Sequence, residues 1–221
     1  SVTWGGIYER QENLFTSIAE HRLGVVEVIN AGVNGYSVHQ MVMLYENFLT
    51  GLDPDLVLVC ALVRDFERPP LTKLTGSGVA FPTQGPRAAI VEALRICQLS
   101  AYDRWNWSWL EPPKASEPHW FENETYEDTN IKSVIGLERG LEGKCKFTVV
   151  FLPIETGERT RIRGGFSRNL RNNGVKVARF SSDVGLARDD YVDGVHLSTS
   201  GHFKVGNALA VLIDDELNGR E

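Results

Sequence analysis

The sequence predicts an α/β protein, a three-layer α/β/α sandwich with a mainly parallel sheet between its helices, and three observations carry that expectation. Apolar runs of strand length alternate with segments of helical periodicity along most of the chain, the pattern of repeated helix–strand units. Leu56 to Val63 is apolar without a break, as a strand covered on both faces must be. Only a short Asp-Pro turn separates that run from the helical segment before it. With 221 residues, 42% of them hydrophobic, the chain can bury a full core without disulfides or metals, and residues 1–221 are expected to form one domain.

Taken in order, Glu12 to Leu23 places Leu14, Phe15, Ile18, Ala19 and Leu23 on one helical face, and Gly24 offers a stop. Val25 to Ile29 reads as a buried strand. After the loop Asn30 to Tyr36, Ser37 is an N-cap for a helix in which Val38, Met41, Leu44, Tyr45, Phe48 and Leu49 recur at helical spacing until Gly51 and Pro54 end it. Leu56 to Val63 is the next strand. Residues 68–86 are rich in Pro, Gly and Thr and read as a loop, with a helix expected from Pro86 through Ile96. Between Tyr102 and Asn130 no single period fits, so this aromatic-rich stretch reads as an insertion. Trp105, Trp107 and Trp109 would share one face if extended, as a stacking platform for a ligand or as a packing or dimer contact. Helices near Ile131–Glu142, Arg161–Arg171 and Gly201–Leu217 alternate with strands at Phe147–Leu152 and Val175–Phe180.

The formal net charge of -6, with Lys and Arg scattered, offers no cationic surface for a phosphate backbone, so nucleic acid is not an expected partner. Cys60, Cys97 and Cys145 are odd in number and widely spaced, and read as buried thiols rather than a disulfide framework or metal site. No apolar run reaches the roughly 18–20 residues of a membrane span, and no signal-peptide pattern opens the chain. Compartment and oligomeric state are left open.

In an open parallel sheet, ligands bind beyond the carboxyl ends of the strands. The loops there hold Asn30-Ala31-Gly32-Val33-Asn34-Gly35-Tyr36, then Arg64-Asp65, then Asp193-Gly194-Val195-His196-Leu197. An Asp three residues before a His can fold back so that its carboxylate accepts the Nδ1 proton, which sets up Nε2 as a general base. Alone, Asp-x-x-His is common and reads first as a loop carboxylate capping the following turn beside an incidental His. His39 and His21 fall within helices, His119 lies in the aromatic stretch, and His202 sits at a helix start. Asp65, Asp183, Asp189 and Asp190 lack the spacing of Asp193 from His196.

In combination, these stretches resemble the SGNH/GDSL hydrolase family in the order of their motifs. Ser1-Val2-Thr3-Trp4-Gly5-Gly6 is similar to the family's opening Gly-Asp-Ser block from its serine onward, Asn30 to Gly35 resembles the second block, and Asp193 to His196 the last. The resemblance implies a flavodoxin-like SGNH fold whose first strand is expected upstream of Ser1. It implies Ser1 as nucleophile, His196 as base and Asp193 as orienting acid, with the Gly35 N–H in an oxyanion hole. The family's third block is Gly-x-Asn-Asp, whereas this chain has Leu62-Val63-Arg64-Asp65. Arg64 replaces an amide donor with a longer cationic fork, so either Arg64 and Asp65 line a remodelled site or Arg64 turns away to Asp65 or Glu67.

The implied activity is cleavage of carboxylic esters, a carbohydrate O-acetyl group or a lipid-like ester, with no metal or organic cofactor. Passing the acyl group to a sugar hydroxyl, or an inactive binding protein on the same fold, are the rivals. A free α-amine on Ser1 acting as its own base is a further alternative, but such enzymes are built on sandwiched antiparallel sheets.

Overall fold

The computed structural model describes residue 3 and residues 9–70, 125–154, 160–180 and 184–219. The chain divides into two units, residues 1–70 with 124–221, and residues 71–123. The second lies outside the described residues, and with it the helix expected from Pro86 and the three tryptophans of the aromatic stretch. The first is a mixed α/β unit. Its strands β1 (Leu56–Ala61), β2 (Lys146–Phe151) and β3 (Val177–Arg179) form one parallel sheet in the order β1-β2-β3. Leu56 is in register with Lys146, and Val149 with Val177.

The alternation of side chains along a strand divides the core in two. Val59, Ala61, Phe147, Val149, Phe151 and Val177 face one way, onto α2 (Val38–Leu44), α3 (Val63–Glu67), α4 (Tyr126–Leu141) and α5 (Thr160–Asn172). Phe66 stacks on Phe151 and Phe166 there, with ring centroids 5.5 and 5.2 Å apart. Leu58, Cys60 and Val150 face the other way, onto α1 (Phe15–Leu23) and α6 (Thr199–Asn218). Helices thus cover both faces, as the unbroken apolar strands require. Cys60 and Cys145 are free thiols, and burial pushes that of Cys60 up to about 12, which keeps it protonated at neutral pH.

Local signals account for several boundaries. Ser37 and Gln40 form a reciprocal capping box at the start of α2, and Gly24 ends α1 with a positive φ. Thr125 caps α4 by accepting the Asp128 N–H at 3.2 Å, so 126–130, read from sequence as the end of the insertion, are helical. Val63 opens α3 rather than closing β1, because the Asp65 carboxylate accepts the Leu62 N–H at 2.9 Å and turns the chain there.

Val25–Ile29, expected as a buried strand, is not one. The segment sends Val26 and Val28 toward the α1/α6 core, but no strand among the described residues pairs with it, and Val25 is 96% exposed. A strand exists only where a partner takes its backbone hydrogen bonds.

Gly206 lets α6 lie close on α1: a Cβ there would stand 2.7 Å from Ile18 Cβ and 2.9 Å from the Phe15 carbonyl oxygen. Gly206→Ala is expected to destabilise the fold by about 1–3 kcal/mol. Gly140→Ala, in open space on α4, should stabilise it by roughly 0.5–1 kcal/mol. Urea unfolding of both variants checks the pair.

Candidate active site

The loop before α6 doubles back on itself. Tyr191 and Leu197 form an antiparallel bridge, and the Val192 N–H donates to the His196 carbonyl at 2.8 Å. Gly194, at φ +77°, makes the reversal between them. Asp193 and His196 therefore meet at the tip. Asp193 Oδ1 accepts the backbone N–H groups of His196 at 2.8 Å and Val195 at 3.1 Å, while Oδ2 lies 2.7 Å from His196 Nδ1. A carboxylate can only accept, so Nδ1 carries the proton and Nε2 is the basic nitrogen on the opposite ring edge. Burial alone would raise the Asp193 carboxyl, but hydrogen bonds from the His196 backbone and ring and from the Val195 backbone outweigh it and hold the group below its ordinary value. Asp193 is thus an anion at neutral pH.

The tip is held from beneath by Asp190, which is buried. Its Oδ2 accepts from Lys204 Nζ and from the Ala187 N–H, each at 2.7 Å, its Oδ1 accepts from the Ser200 hydroxyl, and its carbonyl accepts the Ser198 N–H at 2.9 Å. Gly201 must be glycine here, since a Cβ would fall 2.1 Å from the Asp190 carbonyl oxygen. His202, the next residue, accepts the Phe15 N–H on Nδ1 at 3.2 Å and stacks on the Phe15 ring. Burial lowers its pKa, against the pull of Glu9. A neutral His202 thereby satisfies a first-turn donor of α1, a structural use.

A second network joins the loops after residue 29 and after β1. Asn30 Nδ2 donates to the Thr3 carbonyl at 2.8 Å and to Thr16 Oγ1 at 3.2 Å, and its Oδ1 accepts the Gly32 N–H at 2.9 Å. Gly35 is exposed, at φ +79°. Arg68 Nη1 donates to the neighbouring Tyr36 carbonyl at 3.4 Å, and its Nε stands 3.5 Å from Asp65 Oδ1. The cation paired with Asp65 is therefore Arg68, while Arg64 is exposed. Burial raises the Asp65 carboxyl, opposed by the Arg68 charge and the Leu62 N–H.

Of the residues expected from sequence, then, Asp193 and His196 meet as a dyad. Asp65 is a buried carboxylate paired with Arg68, Gly35 and Arg64 lie at the surface, and Ser1 lies outside the described residues, as do His119 and Asp183. His39, in α2, contacts Ser133 Oγ at 2.8 Å through Nδ1. The sequence reading missed the role of Asn130, whose buried amide accepts the His39 N–H and donates to the carbonyls of Phe66, Arg68 and Tyr126. Nothing in its helical position marks it for that task. Among the described residues, no group of three His, Cys, Asp or Glu could hold a metal ion, and no helix is long and apolar enough to cross a membrane. No family model matches the chain, and neither a curated protein nor a solved structure matches it.

The two buried carboxylates pull stability in opposite directions with pH. For Asp190, burial alone would raise the pKa, but its bonds from Lys204, Ser200 and the Ala187 N–H depress it. Its contribution is present above the unfolded value and is lost as pH falls through the folded one. The raised pKa of Asp65 makes its contribution complete below the unfolded value and lost as pH rises through the folded one. Asp190→Asn should lose stability less steeply than the parent below about pH 4, and Asp65→Asn more steeply as pH falls toward about 4 from above. Urea titrations at pH 2.5–6 measure both slopes, and parallel curves would contradict the assignment.

Proposed function

We propose that the chain is a serine hydrolase of the SGNH/GDSL type, on a flavodoxin-like three-layer α/β/α fold, that cleaves carboxylic esters through Ser1, His196 and Asp193. The observation that carries this reading is the 2.7 Å contact between Asp193 and His196 Nδ1, which orients the ring and its tautomer as a general base needs. A parallel sheet with helices on both faces agrees with it.

In this reading Ser1 Oγ bonds to the ester carbonyl carbon as His196 Nε2 takes its proton. The imidazolium that forms is stabilised by the Asp193 carboxylate. The N–H groups of Gly35 and Ser1 receive the oxyanion, with the Arg64 guanidinium as a further donor. The C–O bond of the leaving alcohol breaks as His196 returns the proton to its oxygen. Water, deprotonated by the same imidazole, then attacks the acyl-serine and releases the acid. The substrate class is a carbohydrate O-acetyl or lipid-like acyl ester.

Hydrolysis of p-nitrophenyl acetate and butyrate by the full chain tests the proposal. Ser1→Ala and His196→Ala should each lower kcat by about 10³-fold or more, and Asp193→Asn by about 10²–10⁴-fold. None of the three substitutions touches Asp190 or the groups that donate to it, so circular dichroism and Tm should stay within a few degrees of the parent. Equal rates in parent and variants would remove the esterase assignment, and a fluorophosphonate label on a residue other than Ser1 would reassign the nucleophile.

A further inference from the structure

A general acid that returns its proton to the oxygen of a leaving alcohol has the carbon bonded to that oxygen beside it. Whatever flanks the His196 ring on the open side of its loop therefore meets the alcohol of an ester. The backbone of the loop fixes which side chain that is.

The Ser198 N–H donates to the Asp190 carbonyl and the Val192 N–H to the His196 carbonyl, one bond on each side of the Tyr191–Leu197 bridge. Val192 and His196 are thus directly opposite each other on the two arms of the loop. Opposite residues of an antiparallel pair share a face, with Cβ atoms about 4.5–5.5 Å apart, and successive residues alternate between faces. Leu197 is buried in the α1/α6 core, with Tyr191 packed against it. Val192 and His196 therefore both turn away from that core. Val192 is 53% exposed and belongs to neither apolar cluster, so its methyl groups stabilise nothing within the fold.

The loop also offers few donors to a polar ligand. The N–H groups of Val195 and His196 are held by Asp193 Oδ1, and that of Val192 by the His196 carbonyl. Gly194, at the reversal, has no side chain to contribute. A sugar ring beside Val192 would give up water from its hydroxyls and recover few hydrogen bonds, whereas an alkyl or aryl group gains by covering the valine methyls. On the esterase reading of Asp193 and His196, we infer that Val192 is a specificity-determining residue, the wall on which an apolar alcohol lies as it leaves. The substrate is then the ester of an alkyl or aryl alcohol rather than of a sugar hydroxyl.

Acetate esters that differ only in the alcohol test this, because all of them give the same acetyl-enzyme and kcat/KM covers the step in which the alcohol is still present. In the parent, kcat/KM should rise by about tenfold or more from ethyl to hexyl acetate, and hexyl acetate should be preferred to 6-O-acetylglucose. Val192→Thr keeps the shape and replaces a methyl by a hydroxyl, and Val192→Ala removes the wall. Each should lower the ratio of kcat/KM for hexyl acetate to that for 6-O-acetylglucose by about 5–20-fold. The ratio does not depend on how much of a variant is folded, or on the intrinsic reactivity of either ester. Hydrolysis by the parent with an equal ratio in both variants overturns the role of Val192 and leaves the esterase reading standing. A parent that prefers 6-O-acetylglucose overturns the choice of alcohol. A parent that hydrolyses none of these esters, nor p-nitrophenyl acetate, overturns the esterase reading and the role of Val192 with it.

Discussion

The carboxylate of Asp190 is the contact on which the candidate site depends. A buried charge is tolerated only when it is paired and its lone pairs are filled, and the donors that fill these come from three places: Ala187 before the loop, Ser200 in the first turn of α6, and Lys204 one turn further on. Meeting them ties the segment before the loop, the loop and the helix into one body. Asp193 and His196, three residues apart and partly exposed, take their backbone geometry from this anchor and from the Tyr191–Leu197 bridge. Gly201 follows from the same requirement, because the helix can lie against the Asp190 carbonyl only without a side chain there.

Buried polar groups do comparable work elsewhere in the unit. Asn130 closes its hydrogen bonds to α2, to the end of α3 and to its own helix. Glu216 accepts from Thr148 on β2 and from Lys176, while Lys146 donates to its carbonyl. His202 joins α6 to the first turn of α1. Apolar contacts supply most of the driving force but discriminate poorly between nearby packings. A buried amide or carboxylate accepts one arrangement, since an unmet hydrogen bond there costs about 1–3 kcal/mol. Such hubs set the positions of the loops on which chemistry would occur, and the sheet sets only the frame.

Much of the architecture was legible in the residues themselves. A helix with a Ser cap and a clear apolar stripe, such as that from Val38, and strands with continuous apolar runs, such as Leu56–Ala61, follow from local energetics and were read to within a few residues, whereas the first five residues of α4 were read as insertion. Asp193-x-x-His196 was legible as well, since three residues and a glycine suffice to bring carboxylate and imidazole together. What no local rule contains is pairing. Val25–Ile29 has the composition of a strand and becomes one only if another backbone lies beside it. Arg68 rather than Arg64 meets Asp65, because a helical turn of 3.6 residues brings position 68 back over position 65. Asn130 and Asp190 acquire their roles from partners as many as 91 residues away. Sequence by itself determined the elements and the dyad, whose energies lie within a few residues of one another. Tertiary structure decided which edges, charges and amides would find partners, because those free energies exist only once distant segments exclude water together.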